Sequence, residues 1–288
     1  MNLIIDQMLA KYPLHGEEDY ELAIKEIVQH LSLLGLWRSK FYEHAAFYGG
    51  SAARIFYGLN RFSEDLDFSL LKSKSDFKID KYIRSIQDEL NGFGFNFSID
   101  KKKKIYKSNI ESVFNKGNTV KNFIAVDVDD ELVKTIHKNK KIKIKIEVDT
   151  DPPLGADYEV KTELFPIPFQ VKVFSLSDLL AGKLHAILCR QWKHRVKGRD
   201  YYDLVWFVGK EVPCNIVYLK NKLVQTGNWN EQEELSGEKL LEILKDQFRE
   251  IDFEKAKDDV RPFIIDQQEL TLWSRDFFSE VVDKMEFV

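Results

Sequence analysis

The alternation of apolar and polar residues is sharpest between Lys141 and Asp149, where Ile142, Ile144, Ile146 and Val148 are interleaved with Lys143, Lys145 and Glu147. Strand side chains point alternately to opposite faces, so this run predicts a strand with one apolar and one charged face. Glu147 then sits in a central strand, where a carboxylate needs a partner or an ion. Upstream the period is helical. Ile24, Ile27, Val28, Leu31 and Leu34 recur at intervals of three and four, predicting an amphipathic helix from Glu17 to about Leu34 with Gly35 as its stop. Shorter helices are expected over Ser51 to Tyr57 and Lys81 to Asn91. Phe93, Phe95, Phe97 and Ile99 alternate as a strand does, and Lys116-Gly117-Asn118 divides a hairpin expected between Ile105 and Asp129. After Pro166 and Pro168 the pattern turns helical near Ser175 or Ser177 and continues so, with breaks, to the C-terminus. A domain boundary is therefore expected near Phe174, dividing the chain into residues 1–174 and a helical 175–288.

Composition changes this picture in three respects. The chain has 288 residues, 44% of them hydrophobic, enough for a substantial core and too many for a disordered chain. Its net charge of -4 conceals two basic runs: six lysines and no acid from Leu132 to Ile146, and six Lys or Arg and no acid from Lys183 to Arg199. Either is a solvated face or a phosphate-facing surface. Cys189 and Cys214 are too few for a disulfide framework, and His185, Cys189 and His194 lack a fourth zinc ligand. The N-terminal residues show no export signal, and no stretch of about 18 apolar residues occurs, so a cytoplasmic protein without membrane insertion is expected.

The chemistry concentrates in FYGGSAARIFYGLNRFSEDLDF, Phe47 to Phe68. Asp65 and Asp67 share one face of a short strand, roughly 7 Å apart along it, so their carboxylates can converge on the same cations; magnesium or manganese suits such oxygen donors together with substrate phosphates. The plain alternative is the exposed face of an edge strand. Asp127-Val128-Asp129 repeats the spacing without any Gly-Gly-Ser before it. At the first pair, Gly49 and Gly50 permit close approach of a ligand, and Ser51 opens a helix whose free N–H groups attract phosphate, or is only an N-cap after a turn. Glu147 is the first choice for a third acid, with Asp149 beside it on the same face; a salt bridge to a lysine explains Glu147 as well. Lys183 falls in the apolar stripe Leu176, Leu180, Ile187 of the helix after Ser177 and must meet water or an anion. Asp200 and Asp203 extend the inward stripe Leu204, Phe207, Val208 that follows a break at Gly198-Arg199. They serve as helix caps, orient Lys183, or help activate an attacking hydroxyl.

Taken in order, GGSAARIFYGLNRFSEDLDF, IKIEVD, LLAGKLHAILCR and KGRDYYDL resemble the motifs of the AbiEii family, nucleotidyltransferase-like toxins of abortive-infection and toxin–antitoxin systems within the DNA polymerase β-like superfamily. The resemblance spans about Glu17 to Val208. It implies an α+β fold: a nucleotidyltransferase core with a mixed β-sheet flanked by helices, a helical C-terminal domain, and a nucleotide-containing cleft between them. By position, Gly50 and Ser51 resemble the residues that hold the nucleoside triphosphate, and Asp65 and Asp67 the metal pair. Glu147 or Asp149 corresponds to the third carboxylate, Lys183 to the lysine of the third motif, and Asp200 and Asp203 to the acids after it. Arg61 and Ser63 match the basic and hydroxyl positions before the metal pair. The implied activity is metal-dependent transfer of a nucleoside monophosphate from an NTP to a hydroxyl, on RNA and tRNA in particular, with a cognate antitoxin as partner. A non-catalytic nucleotide-binding or protein-binding module and a small-molecule transferase of the antibiotic-modifying kind are the alternatives.

Overall fold

The computed structural model describes residues 3–99, 119–127, 141–190 and 196–288. Contacts among them group into two compact units. The first comprises Met1–Ala52, Phe62–Pro152 and Glu159–Val173, and the second Ala53–Arg61, Pro153–Tyr158 and Phe174–Val288.

The first unit is built on a mixed sheet. In chain order its elements are α1 (Leu3–Leu9), α2 (Glu17–Arg38), β1 (Ala45–Tyr48), α3 (Gly49–Tyr57, which ends in the second unit), β2 (Leu66–Leu70), α4 (Asp80–Gly92), β3 (Asn96–Ile99), β4 (Thr119–Asp127), β5 (Lys141–Asp149), β6 (Tyr158–Glu163) and β7 (Phe169–Phe174). The strands lie in the order β3-β4-β5-β2-β1-β7-β6. β2 runs parallel to β5 and antiparallel to β1, and β1 runs parallel to β7. β5 has the predicted bounds, and Ile142, Ile144, Ile146 and Val148 are all buried, because a strand flanked on both edges can present its apolar face only to the core.

Three sequence expectations change in this unit. α2 does not stop at Gly35; it continues to Arg38. The glycine serves packing instead, since a methyl group there would come within 2.7 Å of the Cα of Ile86 and 2.8 Å of the Ser85 carbonyl on α4. Phe93 caps α4 and Phe95 turns back to bond the Leu90 carbonyl, so β3 begins only at Asn96. β3 pairs with β4 antiparallel; the turn expected at Lys116-Gly117-Asn118 lies outside the described residues. The prolines before the helical region also hide a strand, β7, whose buried Phe169, Val171 and Val173 alternate with exposed Gln170 and half-buried Lys172. Phe41 anchors the core, its ring edge-on to Phe68 at 5.0 Å and to Tyr82 at 4.9 Å.

The second unit is helical: α5 (Leu176–Cys189), α6 (Gly198–Gly209), α7 (Ile216–Gln225), α8 (Gly237–Gln247), α9 (Phe253–Val260) and α10 (Arg275–Val282). Ser175 is the N-cap of α5, its hydroxyl accepting from the Asp178 N–H at 3.3 Å. Tyr201 of α6 is enclosed by the rings of Phe278, Phe253 and Phe248, 5.5, 6.0 and 6.2 Å away. Gly198 begins α6 rather than breaking the chain before it. A side chain there would overlap the Ala256 carbonyl on α9, so only glycine lets the two helices meet. Among the described residues no helix is long and apolar enough to cross a membrane.

Candidate active site

In the first unit the site grows from the junction of β1 and α3. The register pairs Tyr48 with Asp67, which brings the next residue, Gly49, against the Asp67 side chain. Gly49 has φ +83°, and a methyl group on it would come within 2.5 Å of Asp67 Oδ2. The positive φ favours glycine, and any side chain there would have to displace the Asp67 carboxylate. Gly50 and Ser51 follow in the first turn of α3, both buried. Ser51 is thus inside the helix rather than at its N-cap, and its hydroxyl donates to the Asp65 carbonyl, tying the helix start to the residue that precedes β2. Ser63 accepts at its carbonyl from Gln29 Nε2 at 2.9 Å.

The parallel register of β2 and β5 sets Asp67 beside Glu147 and Ser69 beside Asp149. Glu147 therefore stands next to the metal-pair candidate. Asp149 lies two residues further along, with Oδ1 accepting from the Asp151 N–H at 3.0 Å. Between Asp65 and Glu147 sits the Lys145 ammonium, 3.2 Å from Asp65 Oδ2 and 3.2 Å from Glu147 Oε2. Burial alone would lower its pKa, but Asp65 and Glu147, with a smaller share from Asp67, outweigh burial and raise it. The comparison pair fares differently: Asp127 ends β4 opposite Lys141, and Val128-Asp129 lies outside the described residues.

The second unit holds the other candidates. Arg61 and Asp203 form a bidentate ion pair, with Nε 2.5 Å from Oδ1 and Nη2 2.7 Å from Oδ2; their side chains are 2% and 0% exposed. Lys183 Nζ contacts Asp203 Oδ2 at 2.6 Å and Asp200 Oδ1 at 3.2 Å. Arg190 donates to Asp200 Oδ2 at 2.7 Å. Burial would raise the Asp200 carboxyl, yet Lys183, Arg190 and Lys197 hold it down at about 2. Lys197 moves the other way, pushed to about 8 chiefly by burial despite the attraction of Asp200. Asp200 and Asp203 are thus fully buried counter-ions of a cationic cluster, joined by Arg61 from a distant part of the chain. Lys145 and Arg190 are the neighbours that sequence reading missed. The available signal for Lys145 was its place two residues before Glu147 on the same strand face.

The zinc pattern dissolves. His185 Nε2 lies 3.0 Å from Thr226 Oγ1 and burial drives its pKa to about 3, burial raises Cys189 to about 11, and His194 lies outside the described residues. Among the described residues no three His, Cys, Asp or Glu side chains close around one point as a finished metal cage. The oxygen donors around Lys145 nonetheless fit a hard cation: Asp65 and Glu147 already straddle a positive charge, and magnesium needs only one or two carboxylates when substrate phosphates supply the rest.

A family model described as the nucleotidyl transferase AbiEii toxin of a type IV toxin–antitoxin system matches residues 32–281. The chain belongs to the AbiEii family. The match covers β1, the Gly-Gly-Ser turn, the β2–β5 acids and the α5–α6 cluster, and identifies a nucleotidyltransferase of the toxin class. No curated protein matches the chain. Among solved structures, MenT4, a nucleotidyltransferase toxin from Mycobacterium tuberculosis, is 14% identical with a TM-score of 0.53, over 96% of this chain and 87% of that one. JHP933 from Helicobacter pylori is 18% identical with a TM-score of 0.51, over 91% and 92% of the two chains. At these identities the likeness establishes the nucleotidyltransferase fold. The AbiEii assignment also matches the mixed sheet and the helical second unit.

Proposed function

We propose that this AbiEii chain transfers a nucleoside monophosphate from an NTP to the hydroxyl of an RNA acceptor, tRNA being the class favoured, and that a cognate antitoxin opposes it in the cytoplasm. The observation that carries this reading is the set of carboxylates from Asp65, Asp67 and Glu147 gathered by strand register beside the first turn of α3.

Asp65, Asp67 and Glu147 are the residues that would hold magnesium or manganese, with Asp149 the reserve donor; the ion supplies stabilisation of the attacking and leaving oxygens. Gly49 leaves the Asp67 carboxylate room, while Gly50 and Ser51 present the N–H groups of the first turn of α3 to the triphosphate. Residues 1–174 carry this half of the chemistry. Residues 175–288 carry Lys183, whose ammonium offsets phosphate charge, and Asp200 and Asp203, which orient it. Arg61 fixes Asp203, and Ser63 stands two residues before Asp65. The basic run that includes Lys183, Arg190 and Lys197 supports a polyanionic acceptor.

The test is to incubate the protein with each labelled NTP, a divalent cation and total cellular RNA, beside Asp65→Ala and Asp67→Ala variants. Label enters RNA only with both aspartates present, and falls steeply with salt. Saturable NTP binding without pyrophosphate release would instead establish a binding module, and salt-insensitive label in a small acceptor an antibiotic-type transferase. An Asp67→Ala protein with full activity would overturn the assignment.

A further inference from the structure

The charged face of β5 carries a lysine where the proposed chemistry calls for a divalent cation. Period-two alternation puts Lys145 and Glu147 on that face together, and the parallel register Leu66↔Ile146, Asp67↔Glu147, followed one step back, brings Asp65 beside Lys145. Nζ lies 3.2 Å from one oxygen of each acid, so a single positive charge bridges two carboxylates that the strands already hold together. Bridging carboxylates is the task that a catalytic divalent ion performs.

We propose that Lys145 is a tethered counter-cation occupying the divalent-cation locus of the nucleotide-free protein, so that free magnesium or manganese enters only by displacing its ammonium. The inference rests on the metal-binding reading of Asp65 and Glu147. An ordinary cross-strand salt bridge makes the same contact between one lysine and one acid. Here one lysine answers two acids, with Asp67 paired beside Glu147 as a further nearby charge. The side chains of Lys145 and Glu147 are 28% and 21% exposed, so water screens the locus only in part. Both consequences have the same sign. An ion entering this site must remove a bound competitor and also tolerate its charge nearby, and each lowers its affinity.

The test needs no nucleotide and no turnover. Manganese binding to the wild-type chain is measured by calorimetry and by the electron paramagnetic resonance signal of free Mn2+, beside Lys145→Met, Lys145→Arg and Lys143→Met. Lys145→Met binds manganese about tenfold tighter or more. Lys145→Arg stays near wild type because it keeps the charge. Lys143→Met also stays near wild type, because it removes an equal charge from an exposed site two residues away on the same strand face. If Lys145→Met is not recovered folded, Lys145→Gln makes the same comparison. Unchanged or weaker manganese binding in the neutral variant overturns the proposal. The transferase reading fails separately: tighter manganese binding with no label transfer leaves the counter-cation standing and removes the transferase, whereas transfer with unaltered manganese affinity does the reverse.

Discussion

Gly49 and Asp67 lie so close that a single methyl group on the glycine would come within 2.5 Å of the aspartate's Oδ2. The double glycine and the aspartate pair, separated in sequence, are therefore one feature, because β1 and β2, joined through α3, pair antiparallel and set Tyr48 opposite Asp67. Gly49→Ala meets two penalties: a left-handed backbone at φ +83°, worth roughly 1–2 kcal/mol for a residue with a Cβ, and displacement of the carboxylate. Label transfer should fall about a hundredfold, beyond what the stability loss measured by urea denaturation explains. Wild-type turnover in this variant would show that the position of Asp67 is immaterial.

Gly35 offers a case in which helix propensity and packing disagree in sign. Replacing a mid-helix glycine with alanine ordinarily gains about 1 kcal/mol. Here the new methyl meets the backbone of Ile86 and Ser85 on α4, which cannot swing aside as a side chain can. Gly35→Ala should destabilise the chain by roughly 1–3 kcal/mol, with a lowered denaturation midpoint. A raised midpoint would mean that α2 and α4 separate easily.

Arg61 and Asp203 should couple strongly in a double-mutant cycle. Asp203→Ala removes the carboxylate that takes two N–H groups of a buried guanidinium and one contact from Lys183, a loss of roughly 3–5 kcal/mol. The pair Arg61→Met with Asp203→Leu should recover part of that stability, since an apolar pair needs no neutralisation. Additive losses on chemical denaturation would deny the pairing. Asp67→Ala, by contrast, should leave stability nearly unchanged, which separates an acid held for chemistry from one held for the fold.

The pH dependence of stability should carry the signature of Asp200. Its folded pKa of about 2 lies below the ordinary aspartate value of 3.8, so the folded state holds fewer protons than the unfolded chain between them. The contribution is fully present above the unfolded value and is lost as pH falls from about 4 to about 2, amounting to about 2 kcal/mol. Denaturation at stepped pH should show this component in the wild type and not in Asp200→Asn. Parallel acid profiles for the two proteins would contradict it.

Much of the candidate site was legible because its spacings are local. The two-residue spacing of Asp65, just before β2, and Asp67, within it, is local, and the apolar positions of β5 marked it as central and gave Glu147 its importance. Lys183 stood out as a charge in an apolar stripe, and its partners proved to be Asp200 and Asp203. Where punctuation residues were read as local signals, the outcome differed. Gly35 looked like a helix end yet lies within α2, and Gly198, which does begin α6, also serves close approach to another helix; a residue's own neighbours in sequence hold no record of what passes overhead. β7 went unseen for a related reason: short strands draw much of their stability from cross-strand partners, and β7 lies between β6 and β1, the latter more than a hundred residues earlier.

The sequence by itself determined the elements that depend on side-chain periodicity, the presence of a paired-acid motif behind a glycine turn, and the change from mixed to helical structure after Phe174. Only the tertiary structure decided which charges meet. Strand register set Glu147 rather than Asp149 beside Asp67, placed Lys145 between two acids, and the fold of the second unit gave Asp203 to Arg61. The physical reason is reach. Hydrophobic periodicity acts over a turn or a strand, whereas an ion pair is fixed by where two backbones pass within a few ångströms, a distance that the packing of the whole unit sets.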